Sequence, residues 1–95
     1  MTMPASSISL SDATTDLLSA LGKGERGIIC AIAAAQNPQQ SALLARLEEL
    51  GFVVGEHVRV VAVAFPAGDP IAVRIGHTTF ALRRHEAQMI YVDRQ

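Results

Sequence analysis

His57 follows Glu56, His85 precedes Glu86, and His77 stands between Gly76 and Thr78. Imidazole and carboxylate are the donors that Zn²⁺ and Fe²⁺ accept, so these five side chains are the candidate metal ligands. Their spacing supplies no His-x₃-His, no Cys-x₂-Cys and no facial triad. No single segment can therefore hold an ion. His57, His77, His85, Glu56 and Glu86 would have to converge through the fold or from two molecules, with water or buffer anions completing the shell. An ion held that way is not required for folding, so no cofactor is required. Solvated histidines account for the same residues, and both readings stand. For Glu86 a third is favoured, since a carboxylate at the start of a helical turn accepts backbone N–H groups.

Other chemistry finds less support. Gly22-Lys23-Gly24-Glu25 is glycine-rich, but no Walker pattern follows it, and a loop before a strand explains the glycines. No serine, cysteine or histidine lies in a nucleophile elbow or a triad-like setting, so the chain is not read as an enzyme. Cys30 reads as a small core hydrophobe. Arg74, Arg83 and Arg84 would share the outer face of one hairpin, where they could pair with acidic residues of a partner. A solvated basic face is the equal alternative.

Composition narrows the classes. Ninety-five residues make one domain, and 49% apolar residues support one core. Eight Lys plus Arg against nine Asp plus Glu give a net charge of −1. A protein that holds nucleic acid by its phosphates shows a basic excess and stacking aromatics, so that class is disfavoured. A lone cysteine fits a reducing compartment. The first residues lack a basic n-region and an apolar h-region, and no apolar run is long enough to span a bilayer. The expectation is a cytoplasmic protein without membrane insertion.

The elements that must position these residues follow from pattern. Residues 1–12, rich in Ser and Thr, read as a flexible leader, and residues 13–95 as the single domain. Asp12 can cap a short helix to Leu21, with Leu17, Leu18 and Leu21 on its apolar side. Residues 25–34 read as a strand in which Ile29 and Ile32, three apart, break alternation and indicate a bulge. Asn37, Pro38 and Gln40 open the clearest helix, Leu43, Leu44, Leu47 and Leu50 mark its apolar face, and Gly51 ends it. Strands follow over residues 56–65 and 71–75, then a Gly76-His77 hairpin turn and a return strand with Phe80 and Leu82. Arg84 to Ala87 reads as one helical turn, and Ile90 and Val92 as a last strand. About five strands and one helix suggest a mainly β, strongly bent sheet closing on itself, with the helix plugging one end. The expected core is Ile29, Ile32, Leu47, Leu50, Val58, Val60, Ile71, Val73, Ile75, Phe80, Leu82, Ile90 and Val92.

Four segments in order carry a family resemblance: Gly24-Glu25 with Ile29 and Ile32; Arg46-Leu47-Glu48-Glu49-Leu50-Gly51-Phe52 with Gly55; Gly68-Asp69-Pro70-Ile71 with Val73 and Ile75; and Phe80-Ala81-Leu82-Arg83 with Glu86-Ala87, Ile90 and Val92. Over roughly residues 17–92 the chain resembles the ferrous iron transport protein A (FeoA) family. The departures are the Ser/Thr-rich leader and the Ala- and Gln-rich stretch 33–40. The resemblance implies a small SH3-like β-barrel of about five strands, with one helix between the first two strands and a short N-terminal helix. It implies a cytosolic accessory protein of bacterial ferrous iron uptake that binds and modulates the membrane ferrous iron transporter, whose cytosolic part carries a GTP-binding domain. The same barrel closes the iron-dependent repressors, but this chain has no room for their helix-turn-helix. The alternative is a regulator that binds Fe²⁺ or Zn²⁺ directly. Self-association into a homo-oligomer is left open.

Overall fold

A computed structural model describes residues 15–95. The expected leader, residues 1–12, and the Asp12 cap lie outside the described residues. Six strands form one antiparallel sheet: β1 (Thr15–Leu17), β2 (Arg26–Ile32), β3 (His57–Val63), β4 (Ile71–Ile75), β5 (Thr78–Leu82) and β6 (Ile90–Arg94). Their order is β1-β6-β2-β3-β4-β5. The fold is mainly β as expected, but the count is six rather than five and no ladder joins β5 back to β1. The pairing is that of an open sheet, not a closed barrel.

The extra strand comes from the segment expected to be an N-terminal helix. Thr15, Asp16 and Leu17 pair with Asp93, Val92 and Tyr91, and Leu18–Ala20 make one 3-10 turn. Leu18 and Leu21 are buried, so the spacing of their side chains does report an apolar face. A ladder to a distant strand offers this stretch more backbone hydrogen bonds than a lone short helix would.

Helix α1 (Pro38–Leu50) lies between β2 and β3, the second and third strands. The Asn37 Oδ1 accepts the Gln40 N–H at 2.8 Å, with Pro38 in the first turn. Gln40 turns back to accept the Gln36 N–H at 2.7 Å, one residue upstream of the usual capping-box partner. At the other end Gly51 adopts φ 111°, and the N–H groups of Gly51 and Phe52 donate to the carbonyls of Glu48 and Leu47. This Schellman stop also seats Phe52 beside Leu47, and both are buried. Leu47 is the helix's fully buried anchor, while Leu43, Leu44 and Leu50 pack half-buried against the same core.

Alternation sets the rest. Val58, Val60, Val73, Ile75, Leu82 and Val92 point inward, and the residues between them face out. Of the expected core, Ile32, Leu50 and Phe80 prove half-buried, and Phe52 packs its ring 5.8 Å from that of Phe80. The expected bulge falls between Ile29 and Ala31 where β2 meets β6, and a second lies between Val60 and Ala62 in β3. Cys30 is not core: the β2 bulge leaves it half-buried on the outer face, where burial raises its thiol pKa and the charge of Asp93 reinforces the shift. Gly27 lets β6 approach closely, since a Cβ there would meet the Asp93 carbonyl oxygen at 2.6 Å.

Candidate partner-binding surface

Helix α2 (Arg84–Ala87) and the loop before β4 fix the position of Glu86, Arg83 and Arg84. Glu86 is 8% exposed, accepts the Arg83 N–H at 2.8 Å, and lies 3.7 Å from an Arg46 guanidinium nitrogen on α1. It is thus engaged as a helix cap and as the link between α1 and α2. The Gly-Asp-Pro turn serves the same region. Gly68 takes φ 75°, and the Asp69 carboxylate accepts the Arg84 N–H at 2.9 Å. A Cβ on Gly68 would stand 3.2 Å from the Arg84 guanidinium, so the arginine lies across the turn.

The three arginines expected to form one patch do not. Register pairs Ile71 with Leu82 and Ile75 with Thr78, so Arg74 sits at the turn end of the β4–β5 hairpin. Arg83 and Arg84 follow the opposite end of β5. Hairpin proximity was real, but strand length separates its two ends by about 13 Å at roughly 3.3 Å per residue.

Arg74 instead joins residues that sequence spacing did not connect. Arg26 pairs with Arg59 across β2 and β3, and Arg59 with Arg74 across β3 and β4. All three are exposed and lie on one rung of the outer face. With His57, Val58 and Gly76 they line a shallow groove of about 300 Å³. The Arg74 Nε–H donates to the Gly76 carbonyl at 3.1 Å, which directs its guanidinium along the hairpin end. The register that builds this row depends on the β3 bulge, and nothing local signals it.

The candidate metal ligands are spread out. His57, at the start of β3, borders the arginine groove, and Glu56 Oε1 accepts the His57 N–H at 3.2 Å. His77 is exposed at the β4–β5 turn. His85 and Glu86 line a different groove with Gln39, Leu43 and Arg46 of α1. Among the described residues no three His, Cys, Asp or Glu side chains gather to hold an ion. Among the described residues the donors of one chain do not fit a closed metal site. A third groove of about 460 Å³, lined by Ile32, Leu44, Leu47, Phe52 and Val54 among others, runs beside α1 and is mainly apolar.

Electrostatics tie β6 to β1 and to the loop before β2. Arg94 on β6 reaches Asp16 at 3.0 Å and Glu25 at 2.9 Å. Its hydrogen bond is the main reason that the Asp16 carboxyl lies below its ordinary pKa. For Glu25 the Gly22 N–H is the larger cause of a lowered value, with Arg94 adding to it.

Among the described residues no helix is long and apolar enough to cross a membrane. Residues 17–94 match the FeoA domain family model. No curated protein sequence matches the chain. Among solved structures, the zinc complex of Stenotrophomonas maltophilia FeoA, described as a procaryotic SH3 domain protein, is 38% identical with a TM-score of 0.72; the match covers 82% of this chain and 89% of that one. The FeoA protein of Chlorobium tepidum is 34% identical with a TM-score of 0.68, covering 82% of this chain and 70% of that one. A manganese-dependent transcriptional repressor is 27% identical with a TM-score of 0.71 and covers 85% of this chain, which corresponds to 42% of the repressor. The six-stranded antiparallel sheet, the Gly-Asp-Pro turn that caps α2 and the match over residues 17–94 agree: the chain belongs to the FeoA family of SH3-like proteins of ferrous iron transport.

Proposed function

We propose that this chain is a cytoplasmic accessory protein of bacterial ferrous iron uptake that binds the cytosolic GTP-binding part of the membrane ferrous iron transporter and modulates it. The observation that carries this reading is the FeoA match over residues 17–94, supported by FeoA structures of similar fold. The chemistry of the surface agrees with binding rather than catalysis. Glu86, the one buried charged residue among those described, is occupied as a cap, and of the open grooves one carries Arg26, Arg59 and Arg74 and another is mainly apolar. Mixing the purified chain with the transporter's GTP-binding part should give a complex by sedimentation and a changed rate of GTP hydrolysis. No complex, together with unchanged hydrolysis, refutes the reading.

A second reading, direct metal binding, draws on one observation: the similar Stenotrophomonas maltophilia protein is described as complexed with zinc. Here His57, His77 or His85 would hold Zn²⁺ or Fe²⁺ with Glu56, Glu86 or other surface carboxylates, within one molecule or between two. One-to-one binding by calorimetry, lost in His85→Ala, would favour that reading over the first.

A further inference from the structure

Like charges directly opposite one another on adjacent strands destabilise a sheet. Arg26, Arg59 and Arg74 occupy one rung on three neighbouring strands, so the central Arg59 has an arginine on each side. Neutralising carboxylates are near but engaged. Glu25 is bound to Arg94, Asp93 accepts the Thr15 hydroxyl at 2.8 Å, and Glu56 folds onto the His57 N–H. None of the ion pairs among the described residues involves Arg26, Arg59 or Arg74. Among the described residues the groove therefore presents positive charge without a paired counter-ion.

The shape of the row selects among anions. Strands stand about 4.8 Å apart, so three guanidiniums form a line about 10 Å long rather than a pocket closing on one point. A single phosphate can meet only part of such a line. An extended peptide carries same-face side chains about 7 Å apart, so two alternate carboxylates cover most of it. Guanidinium and carboxylate match as planar, two-pronged partners. A nucleic acid fits poorly, because the groove offers bases only the His57 imidazole and no Phe, Tyr or Trp to stack on, and the whole chain carries a net charge of −1.

We infer that the Arg26–Arg59–Arg74 row on the outer face of β2, β3 and β4 is a docking site for an acidic protein segment, with alternate Asp or Glu side chains pairing to the guanidiniums. The inference rests on the partner-binding function proposed above and places the acidic segment on the transporter's GTP-binding part.

Fluorescence anisotropy with a labelled oligo-glutamate peptide tests the site by itself, at low ionic strength where exposed ion pairs are least screened. The intact wild-type chain should bind the peptide. Arg59→Glu should weaken binding by about tenfold or more, since it supplies in place the carboxylate that the row lacks. Lys23→Glu, the same charge change at an exposed residue outside the groove, should weaken it by no more than about threefold. The Arg59→Glu melting temperature should equal or exceed that of wild type, because a carboxylate between two arginines replaces repulsion with attraction. No peptide binding, equal effects of the two substitutions, or tighter binding of single-stranded oligo-dT or tripolyphosphate than of oligo-glutamate overturns the inference. So does a fall in the Arg59→Glu melting temperature, which would make the row structural. In a second arm, Arg59→Glu should lose capture of the transporter's GTP-binding part. Undiminished capture overturns the inference and leaves the proposed function intact. Failure of the wild-type chain to capture that part, with oligo-glutamate binding still dependent on Arg59, overturns the proposed function instead.

Discussion

At the scale of single residues, the side chains that look chemical are mostly structural. Glu86 caps a backbone N–H and links two helices, and Asp69 caps α2 from a distant turn. Leu47 shows how much can hang on one apolar residue. It is the only fully buried side chain of α1, and its carbonyl also receives the Phe52 N–H that ends the helix. Leu47→Ala should destabilise the protein by about 2–5 kcal/mol, the usual range for truncating a buried leucine. A thermal or urea melt measures this directly. An unchanged melt would mean that α1 does not anchor to the core.

At the scale of elements, what was legible in the sequence was what is local. Asn37, Pro38 and Gly51 mark the ends of α1 because caps act within a few residues, and the alternation of Ile71, Val73 and Ile75 marks β4 because one face is buried. β1 was not legible. Three residues become a strand only because β6 lies beside them, and Leu17, Leu18 and Leu21 carry helical spacing with no local signal against it. The arginine row was hidden for the same reason: its register passes through a bulge in β3 that pairing with β4 reveals. What holds β1 at the sheet edge can be tested by acid. Asp16 and Glu25 have folded pKa values below their ordinary ones, so their stabilisation is present above the unfolded carboxyl range near pH 4 and is lost as pH falls through the lower folded values. Both carboxylates are exposed, so the effect is small. Arg94→Gln should melt below wild type at neutral pH, and the two curves should converge in acid as pH falls through the folded values and both carboxyls take up protons. A gap that persists in acid would assign Arg94 a packing role instead.

At the scale of the whole molecule, the question is what a bound metal would do. The apolar core runs through α1 and the sheet: Leu18, Ile29, Leu47, Phe52, Val60, Val73, Leu82, Ile90 and Val92 are all essentially inaccessible. A structural zinc site closes four protein ligands around the ion and supplies folding energy outright. Here His57 and His77 lie toward the β4–β5 turn, His85 sits against α1, and no three donors gather among the described residues. The expectation is therefore that an ion taken up by this chain is held at the surface, by histidine with Glu or Asp, with water or a second molecule filling the remaining positions. Two consequences follow that a chelator separates. Removing the ion should leave the melting temperature within experimental error of the untreated protein, because the core does not depend on it. If the ion bridges two copies, the same treatment should shift sedimentation from dimer to monomer without loss of the far-ultraviolet signal of the sheet. Unfolding on addition of the chelator would refute this account, since it would require a closed set of ligands that the geometry of His57, His77 and His85 in one chain does not provide.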